Sequence, residues 1–438
     1  MPLLYYKKDW NKALFYVADG GGDFSHYLIA YFDGKSIHKI YGGDDKYQKS
    51  LEQNKKYKAS SLGQMYCYVT EIAGYKRNRH EGKITGLAAF GKPSVYAELK
   101  KMYYIDEQGI IGSYFNSHDE VEEFLLKLKQ NCSIEDLAAS AQRVLEDVIV
   151  ESILKLKEKY DISNTGLSGG VFSNVKLNQR VSEIEGVKDV FVLPFMGDEG
   201  LPVGGALDLL IQKKGFDSFL ANRRELGMPY FGEDFGDIKP YVDSSKFEIV
   251  EDNRDKIVAK TVELLRDKKI CAIFTKGMEY GPRALGARSI LIDPSDRSIN
   301  DSVNKRLSRT EFMPFAPYVR IERVRDVFEV TESNLNAMQY MTITCNVKKE
   351  WHDKIPAVVH VDGTARPQTI EREDNPLYYN ILHEFEKQTG IPCLVNTSFN
   401  AHEEPIINTP QEALKALEDD RVDYLIAQDC IIRRKLEA

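Results

Sequence analysis

Three bursts of apolar residues between positions 13 and 41, separated by glycine-bearing turns, alternate with polar residues at the period of an antiparallel meander whose first strand is buried. A helical period follows over residues 61–75, and residues 77–93 read as a glycine-rich loop. Ser133 and Asp136 then open a long helix in the manner of a capping box, with Leu137, Ala141, Val144 and Val148 spaced to bury one face. From residue 165 the pattern becomes strand, glycine loop, helix, and this is repeated through residue 212, as an α/β nucleotide-handling core requires. Periodicity is lost over 213–241, where glycine, proline and aromatics gather as in a linker. The second half predicts a helix over 252–269, a buried strand over 269–275, strands within 341–351 and 356–370, a helix over 375–390, and strands near 391–400 and 424–434. The fold class is therefore mixed α/β, with domains at 1–212 and 242–438 joined by the 213–241 linker.

With 438 residues and 42% hydrophobic content, the chain can build two or three cores. The net charge of −8 argues against a nucleic-acid coat or a membrane-surface role, so any basic site must be local. No secretion signal or spanning run is legible, and the six scattered cysteines without a CxxC pair read as reduced core thiols of a cytoplasmic protein.

The local basic site lies between Met278 and Arg320, where Arg283, Arg288, Arg297, Lys305, Arg306, Arg309 and Arg320 stand among glycines and prolines that fix the backbone. Guanidinium forks in such a setting suit phosphates or carboxylates. A helix and loop whose arginines pair with neighbouring acids is the plainer alternative. Four glycine loops in the first half are candidates for nucleotide contact: Asp19-Gly20-Gly21-Gly22-Asp23; Ser168-Gly169-Gly170 running to Asn174; Gly197-Asp198-Glu199-Gly200; and the Lys83 loop, whose ammonium would meet a phosphate. Asp19 and Asp198 could complete one oxygen site for a divalent metal. An acidic turn joining two strands would look the same as the first of these loops. In the second half, His360, Asp362 and Arg366 surround one glycine turn, and Asn396 with Ser398 follows a buried strand; polar residues capping strands are the alternative there.

Residues 278–291, 305–319, 360–369, 396–406, 80–93 and 166–180 together resemble the NodU/CmcH-type carbamoyltransferases, and the resemblance extends from about Leu14 to Ile432. It implies a first domain with an ASKHA-type fold similar to TsaD and a second similar to YrdC. It also implies a two-step reaction. The second half would form carbamoyl adenylate from carbamoyl phosphate and ATP, and the first would pass the carbamoyl group to a hydroxyl of a sugar or natural product. Arg283, Arg288, Lys305, Arg306, His360 and Arg366 would serve the chemistry. Lys83, Gly20, Gly21, Gly169, Gly170, Asn174, Gly197, Gly200, Lys276, Asn396 and Ser398 would hold nucleotide or phosphate.

Two departures accompany the resemblance. Relatives carry an upstream HHxxH segment whose histidines join aspartate around a metal such as iron, and a chain starting at Met1 begins too late to contain it. The expectation is a truncated member in which Asp19 and Asp198 favour magnesium, with the missing piece supplied by a separate N-terminal chain, or a non-catalytic remnant; a homodimer is also compatible. The lead-in that many relatives write FQGRMEFGPRALG here reads Phe274-Thr275-Lys276-Gly277, so Lys276 takes over the cation's role. An ASKHA-type kinase or ATPase is the competing activity, but it leaves the second half unexplained.

Overall fold

A computed structural model describes residues 1–22, 25–42, 59–308 and 314–435. Asp23 and Arg309 lie outside the described residues. The chain forms two compact units: Met1–Leu226 together with Thr331–Ala337, and Gly227–Val330 together with Met338–Ala438. The division falls inside the aperiodic 213–241 stretch, though helix runs through Lys214 and resumes over Phe216–Ala221.

The first unit is built on strands β1 (Ala13–Gly22), β2 (Ser25–Phe32), β3 (Ile37–Tyr41), β6 (Asn164–Ser168) and β7 (Asp189–Val192), ordered β3-β2-β1-β6-β7. The meander β1–β2–β3 is antiparallel, whereas β6 runs parallel to β1 and β7 parallel to β6. The carboxyl ends of β1, β6 and β7 therefore emerge at one edge of the sheet, the edge at which parallel α/β sheets bind ligands. A small hairpin pairs β4 (Tyr103–Ile105) with β5 (Ile111–Ser113).

Helix α1 (Leu62–Ile72) starts where Ser61 accepts from the Gln64 amide, and the same hydroxyl donates to Gly20 O at 2.9 Å, tying the helix to the end of β1. Helix α2 (Glu81–Leu87) occupies part of the stretch expected as loop; its single glycine pair did not outweigh Ile84 and Leu87, which it buries. Helix α3 (His118–Lys129) follows. The long helix α4 (Ile134–Tyr160) begins at Ser133, whose hydroxyl accepts from the Asp136 amide, and it buries Leu137, Ala141, Val144 and Val148 as its period predicts. Helices α5 (Val175–Ser182) and α6 (Leu201–Lys214) follow, ahead of the short helix Phe216–Ala221.

The second unit carries an eight-stranded mixed sheet of order β14-β11-β15-β10-β9-β16-β17-β8. Its strands are β8 (Phe247–Glu251), β9 (Cys271–Phe274), β10 (Arg288–Ile292), β11 (Ala316–Arg320), β14 (Gln368–Ile370), β15 (Cys393–Ser398), β16 (Tyr424–Ala427) and β17 (Ile431–Arg434). A two-residue ribbon pairs β12 (Cys345–Asn346) with β13 (Thr364–Ala365). Only these short pieces and β14 form within 341–351 and 356–370; over the latter, Pro356 and Pro367 lack ladder donors and Gly363 turns the chain. Helices α7 (Arg254–Arg266) and α9 (Pro376–Thr389) pack Ile257, Leu265, Tyr378 and Phe385 into one core with Leu291, Leu394 and Ile426. Helix α8 (Ile299–Arg306) follows β10, and α10 (Pro410–Glu418) begins with a full capping box from Thr409 and Glu412.

Among the described residues no helix is long and apolar enough to cross a membrane. No cysteine forms a disulfide, and five of the six are buried.

Candidate functional site

At the carboxyl edge of the first sheet lies a cavity of about 810 Å³. Asp19, Gly20 and Gly21 reach it from the end of β1, Gly170 and Asn174 from the loop after β6, and Gly197 with Asp198 from the loop after β7. The two aspartates, 179 residues apart in sequence, are thus brought to one cavity by strand polarity alone. Asp19 is fixed before any ligand arrives: Oδ1 accepts the Gly20 amide at 2.6 Å and Oδ2 accepts the Gly170 amide at 2.8 Å. Gly169 makes this approach possible. Its backbone, at φ 93° and ψ 154°, lies in a region reserved for glycine, and a Cβ there would stand 2.1 Å from Ala18 O.

Behind the opening is a polar floor. Asn174 caps α5 by accepting from the Leu177 amide at 3.0 Å and donates to Gln142 Oε1 at 2.8 Å; Tyr66 donates to the same Gln142 oxygen at 2.7 Å and meets Thr85 at 3.0 Å. Gln142 in turn donates to Glu146 Oε1 at 2.8 Å. Burial holds the Glu146 carboxyl above the ordinary carboxylate range, opposed by that hydrogen bond and by Lys176 and Arg180.

Two histidines line the cavity that sequence reasoning did not place there. His26 pairs Nδ1 with Gly20 O at 3.0 Å, and its ring meets that of His118 edge to face at 5.6 Å between centroids. Burial lowers the His118 pKa below the usual imidazole value, against Asp119, which raises it. Gln64, Cys67, Asn78 and Glu81 also face the cavity. Glu81 could have been found from the helical spacing of 81–87, since Glu81, Gly82 and Thr85 share one face of α2. That geometry also corrects the expectation for Lys83. It is buried on another face of the same helix, over the Tyr75 ring at 5.5 Å, and does not line the cavity. Gly200 likewise sits in the turn behind Asp198, its amide bonded to Gly197 O at 3.0 Å.

In the second unit the Arg283 segment is a loop joining β9 to β10. Glu279 is 3% exposed, and its Oε1 accepts the amides of Leu285 at 2.8 Å, Ala287 at 2.6 Å and Arg288 at 3.0 Å. Arg283 stands partly exposed on this loop. Lys276, at φ 57°, precedes it in a left-handed conformation uncommon for a side-chain-bearing residue. Asn396 lies beneath the loop, donating to Ala284 O at 3.1 Å and Gln368 Oε1 at 2.5 Å. Ser398 pairs across from Ser289 on β10 and donates to Asn400.

Two of the expected catalytic cations belong to the framework. Arg288 is fully buried. It donates to the carbonyls of Thr275 at 2.7 Å, Ala287 at 3.1 Å, Lys276 at 3.2 Å and Asn408 at 3.3 Å, and lies 3.6 Å over the Phe274 ring. Burial pulls its pKa down to about 10, with Glu279 opposing. Arg306 donates to Asp420 O at 2.8 Å and Asp423 Oδ1 at 2.9 Å, anchoring the end of α8 to the turn before β16. Lys305 beside it is exposed. His360 and Arg366 flank the β13 ribbon, with His360 Nδ1 3.3 Å from Asp362 Oδ1.

Two family models match the chain in order: Carbamoyltransferase N-terminus over residues 4–207 and Carbamoyltransferase C-terminus over residues 262–434. The chain belongs to the carbamoyltransferase family. The uncharacterized protein MJ1051 of Methanocaldococcus jannaschii is 31% identical over 98% of this chain and 81% of its own length. A second M. jannaschii protein, MJ1058, is 35% identical over 87% of this chain and 63% of its own length. The nodulation protein NolNO of Sinorhizobium fredii is 29% identical over 97% of this chain and 61% of its own length. The chain thus spans less than two thirds of the length of two of these relatives. The cavity falls wholly within the span of the N-terminal model, and the Arg283 loop within that of the C-terminal one.

Proposed function

We propose that this chain is an O-carbamoyltransferase that makes carbamoyl adenylate from carbamoyl phosphate and ATP, consuming water and releasing phosphate and pyrophosphate, and then places the carbamoyl group on a hydroxyl of a sugar or natural product. The observation that carries the reading is the convergence of Asp19, Asp198, Gly170 and Asn174 on one cavity in the region matched by the family's N-terminal model. Adenylation is assigned to the second unit, where Arg283 and Lys276 supply cations for the phosphates. Transfer is assigned to the cavity of the first.

There the acceptor oxygen attacks the carbamoyl carbon, the bond to the adenylate phosphate breaks, AMP leaves, and the hydroxyl proton passes to a base. His118 suits that task, because a half-buried imidazole held below its ordinary pKa is neutral at neutral pH. The polar floor of Tyr66, Thr85, Gln142 and Asn174 orients what binds above it.

Asp19 and Asp198 fit a hydrated divalent cation. Both are oxygen donors, the ligand type a hydrated magnesium or calcium ion takes. When bound, the cation would offset phosphate charge.

The test supplies purified protein with ATP, magnesium and carbamoyl phosphate. Pyrophosphate release is expected only with all three present, and Arg283→Ala is expected to lower it roughly a hundredfold, about 3 kcal/mol of transition-state stabilisation. Asp19→Asn is expected to spare pyrophosphate release while preventing radiolabel from carbamoyl phosphate from reaching a panel of hydroxylated acceptors. Pyrophosphate or phosphate release from ATP that ignores carbamoyl phosphate would overturn the reading in favour of a plain ATPase.

A further inference from the structure

The loop from Gly281 to Arg288 makes two demands on its surroundings: a set of backbone amides turned inward, and a set of carbonyls turned toward neighbouring strands and helices. Three amides, those of Leu285, Ala287 and Arg288, converge on a single atom, Oε1 of Glu279. Inward-pointing amides of this kind form a nest that binds anions. Here the protein fills the nest with its own carboxylate.

The carbonyls are held just as firmly. Leu285 O accepts from Tyr230 Oη at 2.8 Å and Tyr318 Oη at 3.1 Å, Gly286 O from Asn375 Nδ2 at 3.0 Å, and Ala284 O from Asn396 Nδ2 at 3.1 Å. The Gly286 amide meets Ser289 Oγ at 3.1 Å. Gly286 itself, at φ 104°, has no room for a Cβ, which would stand 2.8 Å from the Tyr318 ring.

Glu279 is therefore more than a space-filler. Its Oε2 is buried and makes no hydrogen bond, so a group with one acceptor and no charge would satisfy the same amides at a smaller desolvation cost. A carboxylate in that position brings a charge, and it lies close enough to the Arg288 guanidinium to oppose the lowering of its pKa by burial.

We infer that Glu279 is a positioning residue for the adenylation step: it occupies the amide nest and fixes the loop, so that the anionic substrate is met by the Arg283 side chain and not by the loop's backbone. The inference rests on the carbamoyl-phosphate reading of this unit. Its consequence for recognition is specific. With the amides of Leu285, Gly286, Ala287 and Arg288 already engaged, this stretch of the loop offers no phosphate cradle, so anion affinity there follows the guanidinium.

The experiment uses the full chain with Glu279→Gln, Glu279→Ala and Arg283→Lys. Amide hydrogen exchange at Leu285, Ala287 and Arg288 reports the clamp, calorimetric titration with carbamoyl phosphate reports binding, and pyrophosphate release gives kcat and KM. Glu279→Ala is expected to accelerate exchange at those three amides by about tenfold or more and to lower kcat roughly a hundredfold, since displacement of a catalytic group by about 1 Å has that effect. Glu279→Gln, which keeps the acceptor, is expected to retain most of the protection and part of the rate. Arg283→Lys is expected to weaken carbamoyl phosphate binding without altering exchange.

Unchanged kcat and KM in Glu279→Ala with deprotected amides would reduce Glu279 to a structural residue and overturn the inference. So would carbamoyl phosphate binding that tightens in Glu279→Ala, since a vacated nest would then be the better anion site. If Glu279→Ala does not fold, the Gln variant decides through the same three readouts, and full wild-type kinetics with lost protection would be the overturning result. Wild-type protein that shows the exchange pattern but neither binds carbamoyl phosphate nor releases pyrophosphate would remove the functional reading, and the positioning role with it, while leaving the clamp itself measured.

Discussion

At the scale of single residues, what a side chain does here follows from which face of its element it occupies. Lys83, Arg288 and Arg306 are residue types that suit phosphate, yet each is consumed by its own neighbourhood: a tyrosine ring, a set of carbonyls, a pair of aspartates. Composition alone could not reveal this, because it is decided by rotation about a helix or register in a sheet. Asp19 and Asp198 drew notice because each stands among glycines, the one within β1 and the other in the loop after β7. Glu146 did not, since nothing in its helical surroundings marks it as the end of a buried hydrogen-bonded chain. Its raised pKa makes a pH prediction. A carboxyl whose folded-state pKa exceeds the unfolded one contributes stability that is full below the unfolded value and is lost as pH rises through the folded value. Glu146→Gln keeps the bond to Gln142 and never ionises. It is expected to melt above the wild type at neutral pH, with the two curves converging toward about pH 4, where the unfolded carboxyl also protonates; melting temperatures across that range check it.

At the scale of elements, long periodic segments were read well and short irregular ones poorly. The meander of the first sheet, the helix from Ile134 and the helix from Pro376 each follow an apolar period long enough to outvote local noise. The helix Glu81–Leu87 escaped, because its seven residues include two glycines and its burial comes from tertiary packing that propensity does not see. Order within the sheets was also beyond the sequence. The parallel alignment of β1, β6 and β7 sets the cavity, and its β1–β6 pairing sets Leu14 opposite Thr165, far apart in the sequence. The connection after β6 is where this arrangement is most exposed to mutation. Gly169→Ala would force a side chain into glycine-only backbone space and against Ala18 O, and is expected to cost about 3 kcal/mol or more. Chemical denaturation of the folded variant checks the magnitude. Loss of the divalent-cation affinity proposed for the cavity, read by calorimetry, checks that Gly170 and Asp19 have moved with it.

At the scale of the whole molecule, the two compact units correspond in order to the two family models, and each holds its own candidate site. The break between the units falls within the 213–241 stretch, and nothing in the sequence hints that residues 331–337 belong with the first unit. There Ser333 donates to Ser182 O at 2.9 Å and Asn336 to Asp189 Oδ1 at 2.9 Å. Nothing in the composition of that helix announces its partner. A fragment of residues 227–438 is therefore expected to keep a protected eight-stranded sheet while its 331–337 segment exchanges amide hydrogens rapidly; equal protection of that segment in fragment and full chain, read by mass spectrometry, would show that it does not depend on the first unit. The same excursion bears on how the protein is made. The first unit's last piece leaves the ribosome roughly 110 residues after the rest of it, a delay of about 5–20 seconds at usual rates of synthesis. During that interval the nascent first unit presents the backbone and carboxylate that Ser333 and Asn336 later occupy. Translation speed through the second half thus sets how long an incomplete first unit must survive without its closing segment.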